Sequence, residues 1–196
     1  SNVVLTVTSS DTGEATVNSP LTFTPANWDT PQTVTVTGVN DGSVVDGNQT
    51  STVTVSVNDG SSNDSFDPLA DQTVSVTTTD NDVPGFTVAE SGGSTSVNES
   101  GTTDTFTVVL NAQPTSDVLF SLTASDATEA SVTTSLTFTP ANWNTAQTAT
   151  VTGLNESTVD GDQTSVITIS IVDAVSNDSF DPVADQTVSL TTVDNA

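Results

Sequence analysis

The 196-residue chain contains 25 aspartate and glutamate residues and no lysine, arginine or histidine, which gives a net charge of −25. This charge excludes nucleic acid and anionic membranes as partners. Cysteine and tyrosine are absent as well, so disulfides and most of the usual catalytic bases and nucleophiles are excluded, and carboxylates and hydroxyls remain as functional groups.

Apolar side chains alternate with threonine and serine along most of the chain, without helical periodicity. Turn signals separate these runs at intervals of roughly 8–12 residues, which predicts an all-β sandwich. In chain order, the first predicted strands are residues 3–9, a long run that ends at Pro25, and residues 32–39, 50–57 and 70–78. No apolar run approaches the length of a membrane-spanning helix and no signal-peptide-like start is present. We therefore expect a soluble internal segment without membrane insertion.

The chain repeats itself. Leu-Thr-Phe-Thr-Pro-Ala-Asn-Trp occurs at residues 21–28 and again at residues 136–143, with the two tryptophans 115 residues apart (143 − 28). Ser-Asn-Asp-Ser-Phe-Asp-Pro recurs at residues 62–68 and 176–182. Such identity predicts tandem copies of one module. We expect Trp28 and Trp143 to be the largest core side chains of their copies.

The second copy is longer than the first at its start. Its predicted strands are residues 86–90, 95–98, 105–110, 118–124, 130–140, 147–154, 165–172 and 184–193. Ser1 aligns with Ser116, so the first copy lacks counterparts of residues 83–115. We predict two domains: residues 1–82, a sandwich without its first strands, and residues 83–196, a complete one. The gap would be filled by preceding residues of a longer chain or by a strand from a neighbouring subunit.

Several motifs of the second copy carry a resemblance: Val97-Asn98-Glu99-Ser100-Gly101, the Leu-Thr-Phe-Thr-Pro-Ala-Asn-Trp block, and Val-Asp-Gly-Asp-Gln-Thr at residues 159–164. In this order they resemble Calx-β-type repeats of large bacterial surface and adhesin-like proteins. The resemblance implies tandem immunoglobulin-like Greek-key β-sandwiches of about seven strands, which bind calcium in loops at one end. The acidic triplet that closes the best-known members is Asp80-Asn81-Asp82 here, which leaves the number of ions open.

Successive loops of a Greek-key sandwich alternate between its two ends, so carboxylates from several loops should meet at one end of each copy. In the first copy these are Asp11, Glu14, Asp41, Asp46, Asp80 and Asp82. In the second copy they are Glu99, Asp126, Glu129, Glu156, Asp160, Asp162 and Asp194. The opposite end of the second copy carries Asp173, Asp178 and Asp181. We expect Asp173, Asp178 or Asp181 to approach Asp80 and Asp82 and share an ion with them. These three and their first-copy counterparts are equally typical of turn-forming residues.

Repulsion within such a cluster favours a bound cation. Two carboxylates about 5 Å apart repel by roughly 1–3 kcal/mol, and a domain is stable by only about 5–15 kcal/mol. Carboxylate, amide and carbonyl oxygens suit Ca²⁺, whereas Mg²⁺ requires a stricter octahedron. The sequence therefore predicts Ca²⁺ as the cofactor, with ordinary solvated surface charge as the alternative.

These features predict a non-enzymatic extender repeat of an extracellular bacterial surface protein or fibre, rigidified by calcium. Its expected partners are neighbouring repeats of the same chain or neighbouring subunits. A glycosidase that uses Glu99 and Glu129 is disfavoured, because aromatic sugar platforms are scarce. The remaining alternative is a glycan-, ice- or surface-binding module, since threonines alternate at positions 33, 35 and 37 and at 148, 150 and 152. Threonine is also simply a good exposed strand residue.

Overall fold

The computed structural model describes residues 1–155 and 159–195, which form β-strands joined by loops and short 3₁₀ turns. No helix among these residues has the length and apolar character that a membrane crossing needs. The chain folds as two compact units. Unit 1 comprises Ser1–Gly42 and Gly47–Asn81, and unit 2 comprises Ser43–Asp46 and Asp82–Ala196. The predicted all-β class is confirmed.

The strands of unit 1 are β1 (Val3–Ser9), β2 (Ala15–Val17), β3 (Leu21–Phe23), β4 (Val36–Gly38), β6 (Gln49–Val57) and β7 (Gln72–Thr78). They form a four-stranded antiparallel sheet in the order β3-β1-β6-β7 and a two-stranded antiparallel sheet of β2 and β4. The core of the unit is small, with Val7, Leu21 and Val53 buried at the centre of its hydrophobic cluster. A short strand β5 (Val44–Val45) lies between β4 and β6 in sequence and belongs to unit 2.

The other strands of unit 2 are β8 (Phe86–Glu90), β9 (Thr95–Asn98), β10 (Thr103–Leu110), β11 (Gln113–Pro114), β12 (Val118–Ala124), β13 (Ala130–Val132), β14 (Ser135–Phe138), β15 (Gln147–Gly153), β16 (Gln163–Ile171) and β17 (Gln186–Val193). Unit 2 is a sandwich of a five-stranded sheet, β14-β12-β16-β17-β9, and a four-stranded sheet, β13-β15-β10-β8. Strand β9 pairs with β17 in parallel, and β11 pairs with β5 in parallel.

The core of unit 2 is built from alternate residues of both sheets, as expected for a pleated sandwich. Phe106, Phe120, Phe138 and Phe180 are fully buried there. The rings of Phe86 and Phe120 meet edge to face with centroids 4.8 Å apart, and Phe120 contacts Phe138 in the same way at 5.7 Å. Phenylalanines therefore fill the centre of this unit.

The tryptophan prediction is wrong for Trp28, which is 70% exposed, whereas Trp143 is partly buried against the core of unit 2. Each tryptophan lies just after a strand, in a turn where Asn27 or Asn142 donates a backbone amide to the carbonyl of Thr24 or Thr139. This position places the indole at the rim of a sheet. A large ring at a rim is covered only where other strands extend over it.

The single long strand predicted in each copy is two strands. Thr133 N donates to Thr150 O in one sheet of unit 2, while Leu122 N donates to Thr134 O in the other. The chain therefore changes sheets between residues 133 and 134, at a corner of the sandwich. Alternation in sequence cannot reveal this change, because both segments keep the period of two.

Candidate metal centre

One carboxylate cluster stands out in the first repeat. Glu14 directly precedes β2, and Asp41 and Asp46 flank β5 in the loop that leads to β6. Within unit 1, the carboxylate oxygens of Glu14 and Asp41 lie within 4.8 Å of each other. Glu14 is half-buried and Asp41 is exposed, and Asp46, which belongs to unit 2, is half-buried. Two hard oxygen ligands at this spacing are part of the donor set that Ca²⁺ uses.

The backbone under this cluster is fixed by hydrogen bonds. The carbonyl of Glu14 accepts from Val39 N at 2.8 Å and from the Thr78 hydroxyl at 3.0 Å. Glu14 is thereby tied to both the end of β4 and the end of β7. Its carboxylate is therefore carried by an ordered segment, which lowers the entropic cost of gathering ligands.

A second feature occurs in both repeats. Gly47 N donates to Asp80 Oδ2 at 2.8 Å, and Gly161 N donates to Asp194 Oδ2 at 2.8 Å. In return, Asp80 N donates to Asn48 Oδ1 at 3.0 Å, and Asp194 N donates to Asp162 Oδ1 at 3.2 Å. Both glycines have positive φ, 74° and 78°, which favours glycine at this turn. Each repeat therefore holds the aspartate after its last strand against the Asp-Gly turn.

The end of unit 2 buries two carboxylates. Glu99 is fully buried and Glu129 is 4% exposed. With the side-chain amide of Asn195 assigned in the orientation that satisfies its neighbours, its nitrogen donates to Glu99 Oε2 at 3.1 Å and its oxygen accepts from Ser100 N at 3.1 Å. Burying ionised carboxylates costs several kcal/mol unless hydrogen bonds, protonation or a cation compensates them. Because the chain has no cationic side chain, such a cation must come from solution.

Gly153 explains how these two residues come to the same end. A Cβ on Gly153 would lie 2.0 Å from the carbonyl oxygen of Asn98, the residue before Glu99. Gly153 also pairs with Ala130, the residue after Glu129, and Leu154 N donates to Glu129 O at 2.8 Å. The segments that carry Glu99 and Glu129 therefore both pass beside Gly153. The sequence pattern did not single out this glycine.

Other predicted ligands at this end have local roles. Asp126 Oδ1 accepts from Thr128 N at 2.9 Å and from the Thr128 hydroxyl at 2.6 Å. These bonds lower the pKa of Asp126. Asp11 Oδ1 accepts from Gly13 N at 2.9 Å in the equivalent turn. Asp82 is half-buried, and Asp160 and Asp162 are exposed. Glu156, the counterpart of Asp41, lies outside the described residues.

The opposite end of each unit also gathers acids. Asp173 and Asp178 lie in 3₁₀ turns after β16, and Asp181 follows the second turn. Desolvation raises the pKa of Asp181, and the nearby Asp173 and Asp178 charges raise it further. The pKa of Asp67 is raised in the same way by desolvation and by Asp59 and Asp64. Both repeats therefore conserve the same repulsive arrangement in their own loops.

Sequence reasoning missed Asp104 at the start of β10. Its carboxylate accepts from the Ser91 hydroxyl, from Ser96 N at 2.9 Å and from Thr105 N at 2.7 Å. The bond from Ser91 is the largest cause of a lowered pKa for Asp104, followed by the bond from Ser96. The available signal was an acid among threonines at a strand end, next to the glycine-rich turn at residues 91–94. Asp104 thereby connects β10 to that turn.

No family model and no curated protein matches the sequence. Among solved structures, the chain is similar to the S-layer protein rSbsC(31-844) at 19% identity, with a TM-score of 0.43 over 96% of this chain and 20% of that one. It is also similar to the apo form of the Calx CBD1 domain at 13% identity, with a TM-score of 0.41 over 57% of this chain and 98% of that one. A third is the E. coli chaperone DraB, at 10% identity, with a TM-score of 0.41 over 57% of each chain. The chain thus spans about a fifth of the S-layer protein, and the fold described above rests on its own sheets.

Proposed function

We propose that this chain is a non-enzymatic structural repeat of an extracellular, bacterial surface or adhesin-like protein, and that Ca²⁺ rigidifies it. The observation that carries the proposal is the carboxylate pair of Glu14 and Asp41 in unit 1, with oxygens within 4.8 Å of each other in a chain without any cationic side chain. The partners of such an extender are neighbouring repeats of the same chain or neighbouring subunits of a fibre.

The charge balance supports a cation from solution. Each carboxylate pair at this spacing repels by roughly 1–3 kcal/mol at a protein surface. A divalent ion removes this repulsion and cross-links the strand ends that carry the ligands. In unit 2, the buried Glu99 and Glu129 give a second reason for a cation, because their burial penalises the ionised form.

Calorimetry of the full chain tests this function. Melting curves are recorded at fixed ionic strength with Ca²⁺, with Mg²⁺ and with a chelator. An ion that binds only the folded state adds about 1.4 kcal/mol per site at tenfold excess over Kd, where extracellular modules bind Ca²⁺ with Kd of about 10⁻⁴–10⁻³ M. We expect Ca²⁺ to raise the melting temperature more than Mg²⁺ does. Indistinguishable curves with Ca²⁺ and chelator would sink the proposal.

Three single-residue variants test whether the calcium-dependent stabilisation comes from the predicted ligands. Asp46→Asn in the first repeat and its counterpart Asp160→Asn in the second should each reduce the calcium-dependent stabilisation. Asp29→Asn removes an exposed charge outside the cluster and should leave that stabilisation unchanged. Equal loss in all three variants would indicate nonspecific screening of the −25 charge instead of a site.

A second candidate function has its own observation. On the four-stranded sheet of unit 2, three threonine pairs face each other across β10 and β15: Thr103 with Thr152, Thr105 with Thr150, and Thr107 with Thr148. Cross-strand neighbours lie about 5 Å apart, so these hydroxyls form a regular lattice suited to ordered water, ice or glycans. Ice-affinity partitioning and glycan-array binding test it, with Thr150→Leu as the disrupting variant and Thr54→Leu on unit 1 as control. Binding lost only in Thr150→Leu would favour this function.

A further inference from the structure

An apolar groove lies open on unit 1. It has a volume of about 330 Å³ and is lined by side chains of β1, β3, β6 and the following loops, among them Leu5, Phe23, Trp28, Phe66 and Leu69. Trp28 is 70%, Leu69 57% and Phe66 43% exposed. Three large apolar side chains exposed together on one small unit are unusual for a surface that stays in water.

The second repeat shows what covers the same positions. Phe120, Phe138 and Phe180 are the counterparts of Leu5, Phe23 and Phe66, and all three are fully buried. Phe86 of β8 packs edge to face on Phe120. Leu110 of β10 pairs with Phe86 in the sheet, and its amide donates to the carbonyl of Trp143 at 3.1 Å. The covering element is therefore the strand pair β8 and β10.

Gln186 of unit 2 and its counterpart Gln72 of unit 1 also differ in their hydrogen bonds. Gln186 Nε2 donates to the carbonyl of Phe86 at 2.7 Å, which anchors the covering strand at its end. Its counterpart Gln72 is exposed, and its Nε2 donates to the carbonyl of Ala70 at 3.1 Å. A strand that lay over the groove of unit 1 as β8 lies in unit 2 would offer Gln72 a backbone carbonyl equivalent to the Phe86 carbonyl that Gln186 binds.

Strand β4 of unit 1 also differs from its counterpart in unit 2, β15. In unit 2, β15 spans Gln147–Gly153 and pairs with both β13 and β10. In unit 1, β4 spans only Val36–Gly38 and pairs with β2 alone among the described strands. Val36 is 40% exposed, whereas its counterpart Val151 is fully buried. The second edge of β4 can therefore form backbone hydrogen bonds with an added strand.

We propose that this groove is a receptor for a segment with the chemistry of residues 83–115, in which strands equivalent to β8 and β10 cover the groove, and that a further repeat of this type provides it. Such a segment presents Phe86 and Leu110 to Leu5, Phe23 and Trp28, adds backbone pairs along β4, and gives its first carbonyl to Gln72. The interaction is strand addition combined with apolar packing. It does not depend on the proposed calcium site.

The experiment adds a synthetic peptide of residues 83–115 to the full chain and follows tryptophan fluorescence. The peptide contains no tryptophan, so any change reports on the protein. We expect a saturable blue shift and loss of acrylamide quenching at Trp28. Neither change should occur in Trp28→Phe protein, which retains Trp143. Hydrogen exchange should show new protection in residues 32–38.

Variants of the peptide and of the protein test whether the peptide binds at the groove. A peptide with Phe86→Ser and Leu110→Ser should not bind. Leu69→Asp places a charge on the groove without touching the small core and should weaken binding at least about tenfold. Val175→Asp, at a 61% exposed position on unit 2, should leave the affinity unchanged.

Three outcomes would overturn the proposal. They are an absence of saturable binding, binding that Leu69→Asp leaves intact, and self-association of the chain that Leu69→Asp abolishes and the peptide cannot compete with. The last result would assign the groove to a second copy of this chain.

Discussion

The same seven residues, Ser-Asn-Asp-Ser-Phe-Asp-Pro, fold into the same turn in both units. Asn63 Oδ1 accepts from Ser65 N at 3.0 Å, and Asn177 Oδ1 accepts from Ser179 N at 3.0 Å. The phenylalanine in that turn is 43% exposed as Phe66 and fully buried as Phe180. Local sequence therefore sets the backbone of the turn, whereas strands from distant positions decide whether the ring is buried.

This contrast extends to whole sheets. Val74 on β7 is 59% exposed, whereas its counterpart Val188 on β17 is 2% exposed. Strand β17 has β9 beside it, and β7 is an edge strand of the four-stranded sheet in unit 1. The two units thus act as an internal experiment, in which identical positions are compared with and without the strands of residues 83–115.

The largest expected difference is at the shared phenylalanine. Phe180→Ala should destabilise unit 2 by about 3–5 kcal/mol, because it leaves a cavity in a packed core. Phe66→Ala should cost less than about 1 kcal/mol, because the ring is already exposed to water. Hydrogen exchange of the full chain, resolved by unit, measures both. Equal losses would show that the turn itself, and not the covering strands, determines the contribution of the ring.

The second comparison concerns the paired glycines. Gly153→Ala would place a methyl group 2.0 Å from the carbonyl of Asn98, so β9 would have to move. We expect a cost of about 1–3 kcal/mol and reduced exchange protection in β9. At Gly38 the nearest atom to an added Cβ is Thr78 Cγ2 at 3.8 Å, an ordinary contact. Gly38→Ala should therefore change stability by less than about 0.5 kcal/mol, and a large loss there would mean that β4 is as crowded as β15.

Periodicity and turn signals predicted most of the long strands, because burial on one face imposes the alternation. The strand predicted at residues 32–39 is only β4, Val36–Gly38, and the short strands β5 and β11 were not predicted. The same signals did not predict the exposure of Trp28 or the change of sheets at residues 133–134, since both depend on which strands meet in space. Loop alternation placed Glu14 and Asp41 at one end, and within unit 1 their oxygens lie close together. It did not reveal Asp104, whose partners Ser91 and Ser96 are ordinary turn and strand residues until β10 folds beside them.

Asp104 provides a pH-dependent prediction for unit 2 only, because residues 83–115 have no counterpart in unit 1. Its folded pKa is lowered, first by the Ser91 hydroxyl and then by the Ser96 amide. Its contribution to stability is therefore present above the unfolded pKa of about 3.9 and is lost as the pH falls through the lower folded value. Asp104→Asn should destabilise unit 2 at pH 7, and the difference from wild type should shrink below about pH 4. Denaturant unfolding across this range measures it, with Asp29→Asn as the control that should show no such pattern.

The smallest expected effects are the ones that should not differ between the units. The pKa values of Asp67 and Asp181 are both raised, first by desolvation and then by two neighbouring aspartates. A carboxyl with a raised folded pKa favours the native state at low pH, and its contribution falls as the pH rises from the unfolded value through the folded one. Asp67→Asn and Asp181→Asn should therefore each stabilise their own unit slightly at pH 7, with no benefit below about pH 4.

The gains should be similar, because Asp59 and Asp64 surround Asp67 as Asp173 and Asp178 surround Asp181. Exchange protection of each unit, with added salt as a further variable, checks this. A gain confined to unit 2 would contradict the local origin of the repulsion and would extend the influence of the covering strands to this end of the fold.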